Sequence, residues 1–178
     1  MKMTWRFYSY NLFNMRKVFL SIITMLSFVF MTACGQGNKG KLTSKILQKA
    51  TSIQYYTDNG TVAPDYHFGV TVVVSKDSVS LTVTKGYKNQ TIYHETAPLT
   101  AEQYQQFIQQ LASQSIHLAK SDAAPTSGGS AESIKVMDDS STLFQGGTVN
   151  ALTYKGDLSA TFHNVLPDEM AQVFRNPH

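Results

Sequence analysis

Apolar and polar residues alternate strictly in one segment of the chain, residues 78–85. Apolar residues occupy the odd positions up to Val83, and serine or threonine occupies every even position. A period of two is typical of a β-strand with one face in the core and the other in water. Residues 66–75 are rich in β-branched and aromatic residues, and only Lys76 and Asp77 separate the two segments. This spacing predicts a tight antiparallel hairpin.

Other short segments show the same β-type composition, and glycine- or aspartate-rich turns separate most of them. Further strands are therefore predicted at residues 52–57, 90–95, 133–137, 141–145, 149–155 and 158–163. Between two of the strands, residues 121–131 form a loop of small residues. Residues 43–50 predict a short helix that Thr43 or Ser44 caps.

The clearest helical pattern covers residues 101–113. Thr100 and Gln103 have the spacing of a capping box, and apolar residues follow at helical intervals. The stripe comprises Tyr104, Phe107, Ile108 and Leu111. A last helix is predicted from Pro167 to about residue 174, with acidic residues in its first turn.

Runs of strands around one or two helices predict an α+β fold. We expect a mainly antiparallel sheet of about six to eight short strands, with the helix at 101–113 packed on one face. The adjacent Tyr55 and Tyr56 must point to opposite faces of their strand, so one of them is expected to be exposed. An exposed tyrosine suits a recognition surface.

The first part of the chain has the order of an export signal. Positive Arg16 and Lys17 precede an uncharged, mostly apolar run at residues 18–31, and small residues follow. The apolar run is shorter than the about 20 residues that a transmembrane helix needs. Residues 15–33 therefore predict a signal peptide. Residues 1–14 are aromatic and fit no part of such a signal, which suggests an upstream misreading and a true start at Met15.

The residues Met31-Thr32-Ala33-Cys34 resemble the lipobox of bacterial lipoproteins. The resemblance implies that Cys34 accepts a diacylglycerol and that lipoprotein signal peptidase cuts between Ala33 and Cys34. Two or three acyl chains would then hold the protein in the membrane. Residues 34–42 become a lipidated flexible tether, and residues 43–178 a single globular domain. In lipoproteins an aspartate directly after the lipidated cysteine can signal retention in the inner membrane. Here that residue is Gly35, which favours the outer membrane.

The net charge changes when the signal peptide is removed. Four of the fifteen basic residues and none of the twelve acidic residues precede Cys34, so eleven basic residues face twelve acidic ones in the mature chain. Nucleic-acid binding requires clustered cations, and we do not expect it. A loose basic stretch follows the anchor and is interpreted either as a solvated linker or as a contact with anionic lipid headgroups. It comprises Lys39, Lys41, Lys45 and Lys49.

The sequence contains none of the common catalytic or nucleotide-binding motifs, and no cofactor is predicted. The leading hypothesis is a non-enzymatic binding or structural module of the cell envelope, whose partners are the membrane and an envelope protein or small ligand. One alternative is a small hydrolase or metal-dependent enzyme that uses His67, His94 or His163, together with a serine or with an aspartate. The aspartates considered are Asp138, Asp139 and Asp157. Another is an inhibitor or immunity-type protein that docks through the loop at 121–131.

Overall fold

A computed structural model describes residues 40–119, 130–147 and 152–177. The predicted signal peptide, the lipidation site at Cys34, the cleavage site after Ala33 and most of the loop at 121–131 lie outside these ranges. The strands are β1 (Ser52–Asp58), β2 (Phe68–Ser75), β3 (Ser78–Lys85), β4 (Gln90–Pro98), β5 (His117–Leu118), β6 (Glu132–Met137), β7 (Thr142–Gly146) and β8 (Leu152–Thr153). The helices are α1 (Ser44–Lys49), α2 (Ala101–Ser113), α3 (Leu158–His163) and α4 (Asp168–Arg175), with a 3-10 turn at Pro64–Tyr66.

The six long strands form one antiparallel sheet in the order β4-β3-β2-β1-β6-β7, and β5 pairs with β8 in a second, two-stranded sheet. The α+β prediction with a mainly antiparallel sheet is confirmed. The hairpin between β2 and β3 turns at Lys76 and Asp77 and aligns Val74 with Val79. Within the described ranges, no helix is long and apolar enough to cross a membrane.

The helix α2 has the predicted bounds and the predicted cap. The Thr100 hydroxyl accepts a hydrogen bond from the Gln103 backbone N–H at 3.2 Å, and the Gln103 side chain accepts one from the Thr100 N–H at 2.9 Å. These two bonds satisfy donors that the start of a helix otherwise leaves free. Tyr104, Phe107 and Leu111 are buried, so the apolar stripe is the face that packs into the core.

The predicted strand at residues 158–163 is wrong, because this segment forms the helix α3. The Asp157 carboxylate caps it by accepting a hydrogen bond from the Ala160 N–H at 2.7 Å. Leu158, Thr161 and Phe162 are buried, at intervals of three and four. A segment of six residues is too short to distinguish the helical period from the strand period. Here Leu158, Ala160 and Phe162 also fit the alternation of a strand. The aspartate cap and the packing of Phe162 favour the helix.

Strand β2 begins later than predicted, at Phe68. The preceding residues form the 3-10 turn, in which the Tyr66 N–H donates to the Ala63 carbonyl at 2.8 Å and the His67 N–H donates to the Pro64 carbonyl at 3.2 Å. Proline suits the first position of such a turn because it needs no backbone donor there. Of the strand predicted at 149–155, the described part contains only the two residues of β8.

One face of the large sheet and the apolar sides of the helices form the core. The ring of Tyr55 on β1 stacks on Phe162 of α3 with 4.6 Å between centroids. Phe162 also meets Phe107 of α2 edge-on at 5.2 Å. This aromatic group therefore joins the sheet to two helices. Tyr55 is buried and Tyr56 lies on the opposite face, so the two adjacent tyrosines point to different sides as predicted, but Tyr56 is half-buried rather than exposed.

Candidate functional site

The face of the sheet opposite the core is a continuous polar surface. Cross-strand pairing places Ser133, Tyr56, Thr71, Thr82 and His94 in one row across five strands. These side chains are half-buried or exposed. We call this surface the open face and define it by the two rows at its centre. The open face comprises Ser133, Tyr56, Thr71, Thr82 and His94 in the first row and Lys135, Gln54, Val73, Ser80 and Thr96 in the second.

The open face carries hydroxyl and amide groups rather than a strong charge. Lys135 is the cation of the second row, and His94 contributes an imidazole to the first. Hydroxyls and amides both donate and accept hydrogen bonds, so such a surface can match polar groups of either kind. The arrangement suits a contact made by many weak hydrogen bonds spread over the surface, rather than by a single side chain inserted into a pocket.

The histidine of the open face is held by its neighbour on the adjacent strand. His94 Nδ1 and the Thr82 hydroxyl are hydrogen-bonded at 2.9 Å across the pairing of β3 and β4. This contact fixes the ring and leaves its other nitrogen for a different partner. His94 is exposed, so that nitrogen is accessible from the solvent.

A close approach between two strands positions Tyr56. A Cβ atom at Gly69 would lie 3.2 Å from the Tyr56 ring and 2.8 Å from the Thr84 hydroxyl, so only glycine leaves room for the ring to lie across β2. The Tyr56 hydroxyl donates to the Asp58 carboxylate at 3.0 Å. Burial and this carboxylate raise the pKa of Tyr56 to about 12, so the hydroxyl stays protonated at neutral pH. The tyrosine therefore presents a fixed, uncharged ring to the open face.

The backbone holds Asp58 in turn. Its other carboxylate oxygen accepts hydrogen bonds from the N–H groups of Gly60 at 2.8 Å and Ala131 at 2.9 Å. Main-chain donors of this kind fix a carboxylate more firmly than mobile side chains do. The Tyr56 hydroxyl is thus bonded to a carboxylate that two backbone N–H groups hold in position.

The three histidines of the enzymatic hypothesis have separate neighbours. His67 is buried beside the ring of Tyr87, at 4.7 Å between centroids, whereas His94 lies on the open face. His163 ends α3 and faces the ring of Phe174 at 5.9 Å. Within the described ranges, no three histidine, cysteine or acidic residues are grouped so that they could hold a metal ion. The structure does not bring these histidines into one site.

Two of the aspartates considered with those histidines have local structural roles. The Asp138 carboxylate accepts hydrogen bonds from the N–H groups of Ser140 at 3.0 Å and Ser141 at 2.7 Å in the turn before β7. These donors hold the pKa of Asp138 below its usual range. Asp157 caps α3. Both carboxylates are therefore used within the fold.

A shallow groove lies between α2 and the link from α3 to α4. Its volume is about 190 Å³, and sites for small molecules usually measure about 300–1,000 Å³. Gln106, Gln110 and Asn164 contribute amides to its wall, and its lining contains no acid, base or nucleophile. The groove is therefore smaller than a typical small-molecule site and offers no catalytic group. We regard the open face as the better candidate for a binding surface.

One carboxylate links two tyrosines near the start of β6. Glu132 accepts a hydrogen bond from the Tyr55 hydroxyl at 2.6 Å and another from the Tyr154 hydroxyl at 2.5 Å. Burial first, and then Glu132, raises the pKa of Tyr55 above its usual range. The same two causes raise the pKa of Tyr154 to about 12. The contact satisfies a buried hydroxyl of the core.

These tyrosines predict a loss of stability at high pH. An unfolded tyrosine releases its proton near pH 10, whereas the folded protein retains it because the pKa values of Tyr55, Tyr56 and Tyr154 are raised. The stabilisation is complete below pH 10 and is lost as the pH rises towards 12. We expect Tyr154→Phe to flatten this decline in urea unfolding measured from pH 9 to 12. For each protein, the free energy of unfolding at each pH is compared with the value of the same protein at pH 8. Identical slopes for the wild type and Tyr154→Phe would contradict the assignment of the decline to these tyrosines.

Sequence reasoning found part of the open face. The alternation in residues 78–85 identified the wet side of β3, including Ser80 and Thr82. Sequence reasoning missed Thr71, because the sequence of β2 is a nearly continuous apolar run. It also missed Lys135, because the neighbours of a strand in the sheet cannot be deduced from one sequence. The only available signal for the surface as a whole was the pair Tyr55-Tyr56.

Fold and surface together define an α+β protein whose sheet, among residues 40–119, 130–147 and 152–177, has one side covered by helices and the other side uncovered. In comparisons with protein-family models, curated proteins and solved structures, nothing matches this chain.

Proposed function

We propose that this protein is a lipid-anchored, non-enzymatic component of the bacterial cell envelope that binds another envelope protein through the open face. The observation that carries the binding part is the mainly polar face of the large sheet, on which Tyr56 is hydrogen-bonded to Asp58 of its own strand and His94 to Thr82 of the adjacent strand. The anchor rests on the lipobox-like Met31-Thr32-Ala33-Cys34. The lipid on Cys34 would keep the domain at a membrane surface, on its periplasmic side or at the cell surface.

The dimensions of the open face support a protein partner over a small molecule. The whole side of the sheet that has the open face at its centre is formed by six strands, and with strands about 4.8 Å apart and about seven residues long at a rise of about 3.3 Å it measures about 24 Å by about 23 Å. This planar area of about 550 Å², to which the relief of the side chains adds, is of the order of the ~800 Å² that each partner contributes to a standard interface.

The chemistry of the open face indicates what the partner offers. Hydroxyls and amides dominate, a tyrosine lies near the centre, and Lys135 contributes a positive charge. Tyrosine is enriched at interfaces because its rigid ring buries a large area while its hydroxyl still makes a hydrogen bond. We therefore expect a polar partner surface with low net charge.

Site-specific photocrosslinking in whole cells tests the proposal. A photoreactive residue replaces Ser80 on the open face, and in a matched chain it replaces Gln109, which is exposed on α2. We expect a discrete crosslinked product from position 80 and none from position 109. Adding Thr71→Arg, which puts a bulky charge at the centre of the face, should lower the yield by at least about tenfold.

The control for that change is Gln109→Arg, which adds the same charge on the helical side and should leave the yield at position 80 unchanged. Equal products from both positions would argue against the proposal. A product at position 80 that survives Thr71→Arg would also argue against it.

A further inference from the structure

The strand β4 lies at one edge of the large sheet and has nine residues, of which seven are exposed. Among residues 40–119, 130–147 and 152–177, β3 pairs with one side of β4 and no strand pairs with its other side. The strand β7 at the opposite edge has only five residues. β4 therefore presents the longer uncovered edge of the sheet.

The described chain begins and is interrupted on the other side of the sheet. The carbonyl of its first residue, Gly40, accepts a hydrogen bond from the Leu118 N–H at 2.7 Å. Leu118 and Leu152 lie against Gly146 of β7, and Ala131 is hydrogen-bonded to β1. None of these residues lies beside β3 or β4, which favours another molecule over a segment of this chain as the occupant of the β4 side.

The pairing with β3 determines which backbone groups of β4 point outward. The Leu99 N–H donates to the Asp77 carbonyl at 2.9 Å, so these two residues form a hydrogen-bonded pair. In an antiparallel ladder such pairs alternate with pairs that make no bond to each other. The residues that this alternation bonds to β3 are Tyr93, Glu95 and Ala97. His94 and Thr96 lie between them and direct their N–H and C=O groups away from β3.

Two features limit the outward groups to a short regular segment. Ile92 has no partner on β3, because the register shifts there in a β-bulge. Pro98 occupies the next outward position after Thr96 and has no N–H to offer. Bulges and prolines protect the edges of sheets against pairing. Residues 93–97 contain neither, and we call this segment the β4 edge.

Glu95 is the side chain that an added strand would approach most closely. His94 and Thr96 would form hydrogen-bonded pairs with that strand, which leaves Glu95 in the intervening pair, where opposite side chains lie closest. The Tyr93 hydroxyl donates to the Glu95 carboxylate. This bond first, then burial and the charges of Glu95 and Glu169, raise the pKa of Tyr93 to about 12. Two carboxylates therefore act at this place, and a cation opposite Glu95 is favoured.

A second copy of the chain fits the β4 edge poorly. The antiparallel register that uses all the outward groups pairs His94 with Thr96 of the second copy, and it places the two Glu95 side chains opposite each other. Like charges in opposite positions destabilise a pair of strands. A shift of two residues one way puts His94 opposite Pro98, which has no N–H. A shift the other way puts Thr96 opposite the bulge at Ile92.

We propose that an extended segment of the envelope protein that binds the open face adds to the sheet as one more strand beside the β4 edge, with a lysine or arginine opposite Glu95. The inference rests on the proposed function, because that function supplies the partner. His94 and Thr96 belong to both the open face and the β4 edge, so one partner contacts both without a break. In this mode of recognition main-chain hydrogen bonds give affinity, and alternate side chains give specificity.

Photocrosslinking in whole cells from Ile92 tests the added strand, because Ile92 is exposed and directly precedes the β4 edge. The product is compared with the product from Ser80 on the open face. We expect the same partner protein in both. Mass spectrometry of the product from position 92 should place the crosslink in a segment of the partner that contains a lysine or arginine.

Thr96→Pro tests the main-chain contact. It removes an outward N–H and leaves the hydrogen bonds to β3 in place, since proline is accepted on edge strands where the N–H faces solvent. The yield from position 92 should fall at least about tenfold, because one backbone bond is lost and the proline ring obstructs the neighbouring strand. Thr96→Ala is the matched control. It loses the same side chain but keeps the N–H, so its yield should stay within about twofold of the wild type.

Glu95→Lys tests the charge and remains informative if Thr96→Pro does not fold, which circular dichroism reports. Reversing this charge should lower the yield from position 92 at least about fivefold, because the partner's cation then meets a like charge. Glu102→Lys makes the same change on the exposed side of α2 and should leave the yield unchanged.

The products from positions 80 and 92 separate the two proposals. A product from position 80 with none from position 92 overturns the added strand and leaves the proposed function in place. The same holds for a product from position 92 that withstands both Thr96→Pro and Glu95→Lys, and for a crosslink from position 92 to this chain or to a second copy of it. Absence of a product from position 80 overturns the proposed function and, with it, this inference.

Discussion

Replacing Cys34 with alanine is expected to abolish the incorporation of labelled palmitate completely and to leave the leader uncleaved. In the proposed anchor the Cys34 thiolate is the group that would accept the lipid, and Cys34 is the single cysteine in the chain. No other side chain can replace it. The uncleaved chain should migrate as a larger species than the wild type, because residues 15–33 remain attached.

The measurement is metabolic labelling followed by electrophoresis and mass spectrometry of the amino terminus. Gly37→Ala is the matched control, because it changes a small residue just after the anchor and preserves the lipobox-like residues. It should incorporate label at the wild-type level. Label that persists on Cys34→Ala would contradict the central proposal, as would a normally cleaved amino terminus.

The second large effect concerns the aromatic centre of the core. Phe162 is fully buried and touches the rings of both Tyr55 and Phe107. Phe162→Ala removes most of the ring volume and leaves a cavity where three elements meet. We expect it to lower the free energy of unfolding by about 3–5 kcal/mol. Since small domains have only about 5–15 kcal/mol in total, the variant should lie near the limit of folding.

Urea unfolding followed by circular dichroism measures this change. Gln109→Ala is the control, because Gln109 is exposed on α2 and its loss should change the free energy of unfolding by less than about 0.5 kcal/mol. A cost below about 1 kcal/mol for Phe162→Ala would mean that α3 does not pack on the sheet through this ring. The measurement therefore also tests the helical assignment of residues 158–163.

The two proposals divide the molecule into regions with different tasks. The helices stabilise one side of the sheet, and under the proposed function the open face remains for a partner. The groove beside α2 and the hydrogen bonds of Glu132 belong to the stabilising part. Substitutions on the open face should therefore affect binding with little effect on the free energy of unfolding.

Local chemistry was sufficient to predict several elements. The capping box of Thr100 and Gln103 and the apolar stripe predicted α2 with the correct bounds. The alternation of residues 78–85 predicted β3 with the correct bounds. In each case, the interactions that select the conformation lie within a few residues along the chain. Such interactions are visible in one sequence.

Residues 158–163 show where that approach fails. A six-residue segment is too short for its period to separate helix from strand, and Phe162 is apolar in either case. The Asp157 cap favours the helix locally, and contacts of Phe162 with Tyr55 and Phe107, which lie far away along the chain, add to it. Local propensity is weak against packing energies of that size.

The sequence by itself determined the α+β class, the main helix, the central hairpin and the expectation of a lipid anchor at Cys34. Each of these depends on a periodic pattern or on a short motif. Only the tertiary structure decided that Ser133, Tyr56, Thr71, Thr82 and His94 form one row, and that the residues beside Tyr66 and Tyr87 meet at one end of the sheet. The order of strands joins residues that are distant in the chain, and the free energy that selects this order comes from burial of the whole core face.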